Sequence, residues 1–520
     1  MKQFVFRRHF FACIFCAFIL LFFFACSDSD SEAISAPTPA PAPAVKSSDW
    51  LFVLYFDADN DLNDTEWINM VEAEDALAGL QKDAAAGKTV PSMRIVVLWD
   101  GADKNKNEET KKKYADITRL HPDGAIFELG PSDGTDHKSD ENWYLSSNTI
   151  DLTSTAADWL PKEPNMNDAS TLANFLSWTK KRYTAKNIVF GLSNHGCGTD
   201  YETSSGGASS RSLCSDDDTT SGTGLLTTAD LKQAFNASGF RPHVIWMDAC
   251  LQASCEIAYD LRGYANSLVS SASISLSNNY ETILSSIAKE ATYEDFPCYV
   301  VSGYRFHKIK DSPREDVIEY EPRASSFRTM SQVGIDLDVA KQEALYAAVE
   351  GLASSLLTND KDKLKAIYDN YLFQNPNDES KCKGWVYGGS FSYLADLGYF
   401  CYQLTNDETL ANVGVSDASV NAAVKLDEAL GSVIRSAWVG KRASGENEKA
   451  LYRVNVLWTT DVPEAVEFGE DSTDPNKKNW MFGPTIAIKG FAPRIDTEYN
   501  TVTGYSKEWG ELLKIWHSSN

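Results

Sequence analysis

The chain has 520 residues, and its 73 acidic side chains outnumber 48 basic ones, which gives a formal net charge of −25. Such a chain repels phosphate, so a nucleic-acid binder is excluded and basic polypeptides are favoured as partners. The length indicates two or three domains, and an aromatic content of 12% can build sizeable cores. The cysteines after Cys26 are odd in number and irregularly spaced, which does not predict a disulfide framework.

The first 25 residues have the form of a secretory signal. Lys2, Arg7 and Arg8 precede an apolar run that ends at Ala25. Cys26 then stands where bacterial lipoproteins carry the lipidated cysteine, although a plain signal peptide or an uncleaved anchor is an alternative. Residues 26–48 are rich in Ser, Ala and Pro and predict a disordered tether. We therefore expect an exported protein, lipid-anchored at the bacterial cell envelope or surface, or secreted.

Strands and helices alternate in the next 240 residues. Apolar runs and helical spacing predict a strand at 51–56, a helix at 65–80, a strand at 93–99 and a helix at 168–182. Residues 102–148 are polar and predict irregular structure. The alternation predicts an α/β fold with a largely parallel sheet flanked by helices, in a domain spanning residues 49–290.

An acidic turn follows the first predicted strand. Asp57, Asp59 and Asp61 have the spacing of a calcium loop, but Leu62 replaces the glycine and Ile68 replaces the final acid of that motif. We therefore favour a turn that caps the next helix.

A histidine and a cysteine each end a predicted strand. The run 188–192 leads to Ser193, Asn194, His195 and Gly196, and the run 244–247 leads to Asp248, Ala249 and Cys250. Helical spacing from 251 to 261 predicts that the second strand turns straight into a helix. Cys250 would then lie at the carboxyl edge of the sheet and near a helix N-terminus, which favours a thiolate. The alternative is an inert, buried cysteine.

These residue types together predict nucleophilic catalysis. A thiolate needs a neighbouring base and a proton donor for the leaving group, and the imidazole of His195 serves both purposes. The backbone N–H groups of Gly196 and Cys250 are candidate oxyanion donors. Cys197 is a much weaker candidate for the nucleophile, and Cys255 should face elsewhere. The chain after the signal contains neither an HExxH zinc motif nor a phosphate-binding GxxxxGK[ST] loop.

These motifs, in this order, resemble the clostripain family of cysteine peptidases. The resemblance rests on FVLYFDADNDL at 52–62, KNIVFGLSNHG at 186–196, LLTTADL at 225–231 and DACLQASCEIAYDL at 248–261. It implies a caspase-like fold, a catalytic His195 and Cys250, and a role for Asp248 in the pocket for the side chain before the cleaved bond. That pocket would select Arg or Lys, because a carboxylate pairs closely with a cation. The alternative for Asp248 is a helix cap.

The resemblance also concerns the loop between the two motifs. Cleavage between the histidine and the cysteine activates many relatives, and Arg211 is the candidate cleavage site in the loop 200–223. The alternative is a solvated surface loop. No cofactor is required for the chemistry. The resemblance implies calcium binding, for which the acidic run 216–218 is a candidate, although a solvated acidic run is the favoured interpretation of these residues.

The remainder, residues 291–520, predicts a smaller C-terminal region, first helical and then α+β. Helices are expected at 337–357, 361–372, 390–404 and 419–438, and strands at 450–458 and 485–489. We predict an exported cysteine endopeptidase that acts on protein or peptide substrates after Arg or Lys. The competing hypothesis is a catalytically silent surface binding or adhesion lipoprotein that retains the peptidase fold.

Overall fold

A nine-stranded mixed sheet organises the part of the chain that the structure describes. In this computed structural model the described residues are 44–102, 123–134, 144–196, 198, 201–202, 208–209, 225–272, 275, 278–304, 306–307, 318–319, 331–369, 394–406, 413–439, 485–487, 499 and 503–517. Contacts divide the chain into units 1–43 and 44–520, and every described residue belongs to the second.

The strands are β1 (Lys46–Ala58), β2 (Met93–Gly101), β3 (Ala125–Glu128), β4 (Ile150–Asp151), β5 (Tyr183–Ser193), β6 (Tyr201–Glu202), β7 (Ala208–Ser209), β8 (Val244–Asp248), β9 (Ser267–Ser270), β10 (Phe306–His307), β11 (Ile318–Glu319), β12 (Ser331–Asp336), β13 (Leu394–Asp396), β14 (Ile434–Val439) and β15 (Thr485–Ala487). The strand order in the main sheet is β14-β12-β9-β8-β5-β1-β2-β3-β4. The pairings from β9 to β2 are parallel, and those beyond them on both sides are antiparallel. The prediction of an α/β fold with a largely parallel sheet is confirmed.

Helices connect the parallel strands and continue after the sheet. They are α1 (Asn63–Ala85), α2 (Ala169–Lys180), α3 (Thr228–Ser238), α4 (Cys255–Leu261), α5 (Tyr280–Ser285), α6 (Phe296–Tyr304), α7 (Val339–Leu356), α8 (Lys361–Ile367), α9 (Leu397–Asn406), α10 (Asp417–Val433) and α11 (Lys507–His517). No helix among the described residues is both long and apolar enough to cross a membrane.

Strand β1 lies in the middle of the parallel part, between β5 and β2. Its apolar run is buried on both faces, as expected where helices cover both sides of a parallel sheet. Successive residues point to opposite faces, so Trp50 and Phe52 join one core while Leu51 and Val53 join the other. The strand therefore links the two hydrophobic layers of the protein.

Local capping fixes the two helices that lead into β5 and β8. Asp168 caps α2 by accepting a hydrogen bond from the backbone N–H of Ser170 at 2.8 Å. Thr227 and Asp230 form a reciprocal capping box at the start of α3, and Gly239 ends that helix with a φ of 61°. These caps set the bounds of the two helices, and β5 and β8 begin after the helices end.

The helix after Cys250 starts later than the spacing predicted. A turn occupies residues 250–251, and α4 begins at Cys255 with Ser254 as its N-cap. The prediction of a strand that continues directly into a helix is therefore wrong, and Cys250 is not beside a helix N-terminus. The apolar spacing of 251–261 reflects burial of both the turn and the helix.

Three further local predictions are wrong. Leu62, and not an aspartate of the acidic turn, occupies the N-cap of α1. Strand β3 lies within the stretch predicted to be irregular, where it pairs with β2. The predicted helix at 419–438 ends at Val433, where the chain continues as β14 in the main sheet.

Two strands from beyond residue 290, β12 and β14, extend the main sheet next to β9. Farther along the chain, β13 and β15 form a separate antiparallel pair. The predicted strand at 450–458 lies outside the described residues. The domain limits at residues 25, 48 and 290 stay predictions.

Candidate active site

The predicted catalytic histidine and cysteine follow neighbouring strands. Ser193, the last residue of β5, pairs in parallel register with Asp248, the last residue of β8. His195 and Cys250 each come two residues later. The N–H of Asn194 also donates to the Asp248 carbonyl at 3.4 Å. Both strand ends therefore lie at one carboxyl edge of the sheet, where open α/β folds keep their sites.

Gly196 lies directly against the backbone of Cys250. A Cβ at position 196 would overlap the Cys250 carbonyl oxygen and would also come within 2.8 Å of Nε2 of Gln252. That same Gln252 amide donates to the Cys250 carbonyl at 3.2 Å, and its side chain is completely buried. This close backbone approach is possible only without a side chain at residue 196.

The Cys250 thiol is half-buried and packs against one backbone segment. The Ser275 N–H donates to Sγ at 3.2 Å, and Sγ lies 3.8 Å from the Ser275 carbonyl oxygen. Burial raises the pKa of the thiol, the Ser275 N–H opposes this shift, and the negative charge of Asp248 adds to it. The resting sulfur is therefore a neutral thiol, and a base is needed to form the thiolate.

Leu251, the residue after the thiol, has a left-handed backbone conformation. Its φ is 64°, the only positive value for a non-glycine residue in the described part of the chain, and its side chain is completely buried. A branched residue adopts this conformation only when its surroundings impose it, and such strain concentrates at functional sites. The turn after β8 thus holds Cys250 in place through a conformation that local sequence does not favour.

The His195 imidazole contacts a carboxylate that sequence reasoning missed. Its Nε2 atom lies 2.7 Å from Oδ1 of Asp61, and both side chains are substantially exposed. Asp61 follows β1, which is the parallel neighbour of β5 on the side away from β8. The third aspartate of the acidic turn therefore lies beside the histidine.

Asp248 is enclosed at the end of β8. It is only 6% exposed, and Oδ2 accepts a hydrogen bond from the Asn278 N–H at 3.1 Å. Burial raises the pKa of its carboxyl to about 7, although hydrogen bonds with Asn278 and Tyr280 lower the pKa in part. With Ser254 as the N-cap of α4, the helix-cap alternative for Asp248 is excluded. A buried carboxyl two residues before the thiol is suited to binding a cationic side chain.

Comparison with known families decides the class of the protein. Residues 59–453 match the clostripain family. The chain belongs to the clostripain family of cysteine peptidases. As a member of this family it is a cysteine protease that acts on peptide bonds. No match to a curated protein was found.

Several solved structures resemble this clostripain-family peptidase. A secreted cysteine protease of Bacteroides thetaiotaomicron, solved with an irreversible peptide inhibitor, is 12% identical with a TM-score of 0.47, covering 75% of this chain and 84% of that one. An inactive zymogen protease of Parabacteroides distasonis is 13% identical with a TM-score of 0.48, covering 90% and 99%.

Several predicted positions of this clostripain-family chain lie outside the described residues: Cys26, Cys197, Arg211 and the acidic run 216–218. Within the described part, no group of three or more His, Cys, Asp or Glu side chains is arranged to hold a metal ion. Cys255 is completely buried in α4, as expected for a thiol that faces away from the site.

Sequence reasoning missed Asp61, Gln252 and a further carboxyl, Glu66. The order of parallel strands could have indicated Asp61, because turns after neighbouring strands meet at one edge. Glu66 lies in the first turn of α1 and is 1% exposed. The apolar residues Trp67 and Met70 follow it closely in the sequence, which only weakly indicates that Glu66 is buried. Nothing in the local sequence distinguishes Gln252.

Proposed function

We propose that this peptidase is an exported endopeptidase that cleaves after Arg or Lys by means of a His195–Cys250 dyad. The observation that carries the proposal is the meeting of His195, Gly196 and Cys250 at one sheet edge, with Asp248 enclosed next to them. No observation in the described part of the chain favours the competing hypothesis of a silent binding lipoprotein.

The reaction begins with proton transfer from the thiol to His195. This transfer is needed because burial keeps the Cys250 sulfur protonated. The sulfur attacks the carbonyl carbon of the substrate, and the N–H groups of Gly196 and Cys250 stabilise the negative oxygen of the tetrahedral intermediate. The C–N bond then breaks as His195 protonates the leaving amine. Water hydrolyses the resulting thioester and regenerates the thiol.

Asp61 supports the histidine in this scheme. Its contact with Nε2 orients the imidazole and leaves Nδ1 of His195 for the reacting groups. Asp61 is a positioning residue, since it acts through the histidine and not on the substrate. Its high exposure limits the strength of the interaction.

Asp248 gives the site its proposed preference. The substrate cation would neutralise a carboxyl that burial otherwise disfavours in its charged form, so each partner stabilises the other. The acidic chain as a whole would attract the basic polypeptides that contain such residues.

Maturation and location form the outer part of the proposal. The sequence alone supports three parts of it: a signal-like segment at 1–25, lipidation at Cys26 and cleavage at Arg211. Calcium binding is supported by the family resemblance only. Mature protein that stays a single chain while fully active would argue against the cleavage.

The test is hydrolysis of fluorogenic peptides that end in Arg, Lys or Ala before the cleaved bond. The full chain is compared with Cys250→Ala and, as a matched control, Cys255→Ala, whose thiol is buried away from the site. Strand β1 starts at Lys46, so any shortened protein should retain residue 44 onward. Cleavage after Arg or Lys that is lost only in Cys250→Ala supports the proposal. Absence of turnover, even with calcium and after nicking near Arg211, favours the silent lipoprotein.

A further inference from the structure

Glu66 is a buried carboxyl with no positively charged partner in the described part of the chain. It is 1% exposed, and among the described residues the Ser193 side chain is the one group that stabilises its charged form. Burial, and next the negative charge of Asp248, raise its pKa well above the ordinary value, while the Ser193 side chain opposes part of this shift. Glu66 therefore lies close to the carboxyl that we propose for the specificity pocket.

The surroundings of Glu66 are acidic. Burial and the charges of Asp248, Glu66 and Glu72 all raise the pKa of the Tyr280 hydroxyl. Glu72 already accepts the Tyr280 backbone N–H at 2.9 Å, and Asp248 accepts the Asn278 N–H at 3.1 Å. Among the described groups that shift the pKa values of Glu66, Asp248 and Tyr280, none is a lysine or an arginine.

This arrangement is costly unless something else occupies it. A buried carboxylate without a countercharge loses its hydration and gains little in return, and a second carboxylate beside it adds repulsion. Replacing a buried charged group by an apolar one of similar volume is often neutral or stabilising, so packing alone does not require Glu66. A cation from outside the chain would satisfy both carboxyls at once.

We propose that Glu66 is a second specificity-determining residue, whose carboxyl joins that of Asp248 in binding the ammonium or guanidinium group of the substrate side chain. This inference rests on the proposed function, because it places Glu66 in the same pocket. Both carboxyls are buried, with 6% of Asp248 and 1% of Glu66 exposed. Long side chains with a terminal cation, those of Lys and Arg, can reach buried carboxyls while their apolar stems line the path.

The experiment compares Glu66→Gln with Asp248→Asn and Glu74→Gln in the full chain. Glu74 is the matched control: it lies on the same helix and is fully buried, but its oxygens accept the Ser146 N–H at 3.0 and 2.8 Å. Substrates carry Lys, Arg, Ala or norleucine before the cleaved bond, norleucine being an uncharged analogue of Lys. Alkylation of Cys250 by iodoacetamide and the Tm report an intact site and fold.

We expect Glu66→Gln to lower kcat/KM for Lys and Arg substrates by about thirtyfold or more relative to norleucine, with unchanged alkylation. Glu74→Gln should lower the Tm and leave the Lys-to-norleucine ratio unchanged. Glu66→Leu is the second variant, because removing a buried carboxyl that has no countercharge should not lower the Tm, and it should show the same loss of ratio.

Two results would overturn the inference in different ways. If Asp248→Asn abolishes the preference while Glu66→Gln and Glu66→Leu keep it, Glu66 is not part of the pocket and the proposed function stands. If the unmodified chain shows no preference for Lys or Arg, or if Asp248→Asn keeps it, the proposed specificity fails and the role of Glu66 fails with it.

Discussion

Asp61 Oδ1 lies 2.7 Å from Nε2 of His195, although the two residues are 134 positions apart in the chain. The contact exists because β1 and β5 are parallel neighbours, which brings the turn after one strand to the end of the other. A carboxylate in this place orients the imidazole and fixes its tautomer. Asp61 therefore contacts the histidine from the β1 side of β5, whereas the thiol follows β8 on the other side of β5.

Asp61→Asn should reduce kcat/KM by about threefold to fivefold, because an exposed charged pair contributes less than about 1 kcal/mol. The loss should shrink at high salt, which already screens the contact. Asp83→Asn is the control, since Asp83 pairs with Lys88 in an exposed region of the same chain. A loss that is equal at low and high salt would contradict an electrostatic role.

Gly196→Ala should lower kcat by about a hundredfold or more, because the added Cβ would overlap the Cys250 carbonyl and displace an oxyanion donor. Gly431→Ala is the control, since its added Cβ would meet nothing within 4 Å in α10. That control should be fully active and slightly more stable. Steady-state kinetics and Tm measure both effects, and a Gly196→Ala enzyme of normal kcat would refute the close approach.

The preference for basic substrates should depend on pH. Burial raises the pKa of Asp248 to about 7, so the pocket of the free enzyme gains its negative charge as the pH rises through that value. We expect the ratio of kcat/KM for Arg to that for norleucine to increase from pH 6 to pH 8. In Asp248→Asn the ratio should be low and flat. A ratio in the unmodified enzyme that falls with rising pH would be incompatible with this assignment.

The same carboxyl should destabilise the fold at higher pH. A folded-state pKa above the ordinary 3.8 means that the folded chain retains a proton which the unfolded chain releases. The contribution of Asp248 to stability is therefore fully present below about pH 4 and is lost as the pH rises to about 7, at roughly 1.4 kcal/mol per pKa unit. Asp248→Asn should raise the Tm more at pH 8 than at pH 4. A larger rise in Tm at pH 4 than at pH 8, measured by thermal scans, would contradict the raised pKa of Asp248.

Among the free cysteines that the structure describes, Cys250 should react first with a small neutral electrophile. Cys255, Cys298 and Cys401 are buried, whereas Cys250 is half-buried.

His195→Ala should reduce peptide turnover by about a hundredfold or more. Alkylation of Cys250 in that variant should recover at alkaline pH, because the raised pKa of the thiol then no longer matters. Peptide mapping by mass spectrometry identifies the labelled residue, and preferential labelling of Cys255 would refute the assignment.

Short-range patterns in the sequence were sufficient to predict much of the fold. The apolar runs before His195 and Cys250 gave two parallel strands, and the shared carboxyl edge of the sheet followed from their alternation with helices. The same patterns failed where burial is decided by distant contacts. The apolar spacing after Cys250 is helical, yet the left-handed turn at Leu251 delays the helix to Cys255.

The carboxyl groups of the site illustrate the same limit. Asp248 is adjacent to the thiol in sequence, so a local motif could indicate it. Asp61 and Glu66 belong to a turn and a helix far upstream, and only the order of strands brings them to His195 and Asp248. The change from α10 to β14 at Ile434 is another example, because β14 pairs with β12, which is more than 90 residues away in the chain.

The position of β1 has a consequence for biosynthesis. This strand leaves the ribosome first, but its neighbour β5 follows more than 120 residues later, and β8 later again. A growing chain therefore cannot align His195 with Cys250 until the third of these parallel strands has been made, and contacts of such long range form slowly. The cell that makes this peptidase is thus protected during translation by the order of its strands, since an incomplete chain has no assembled site with which to cut its neighbours.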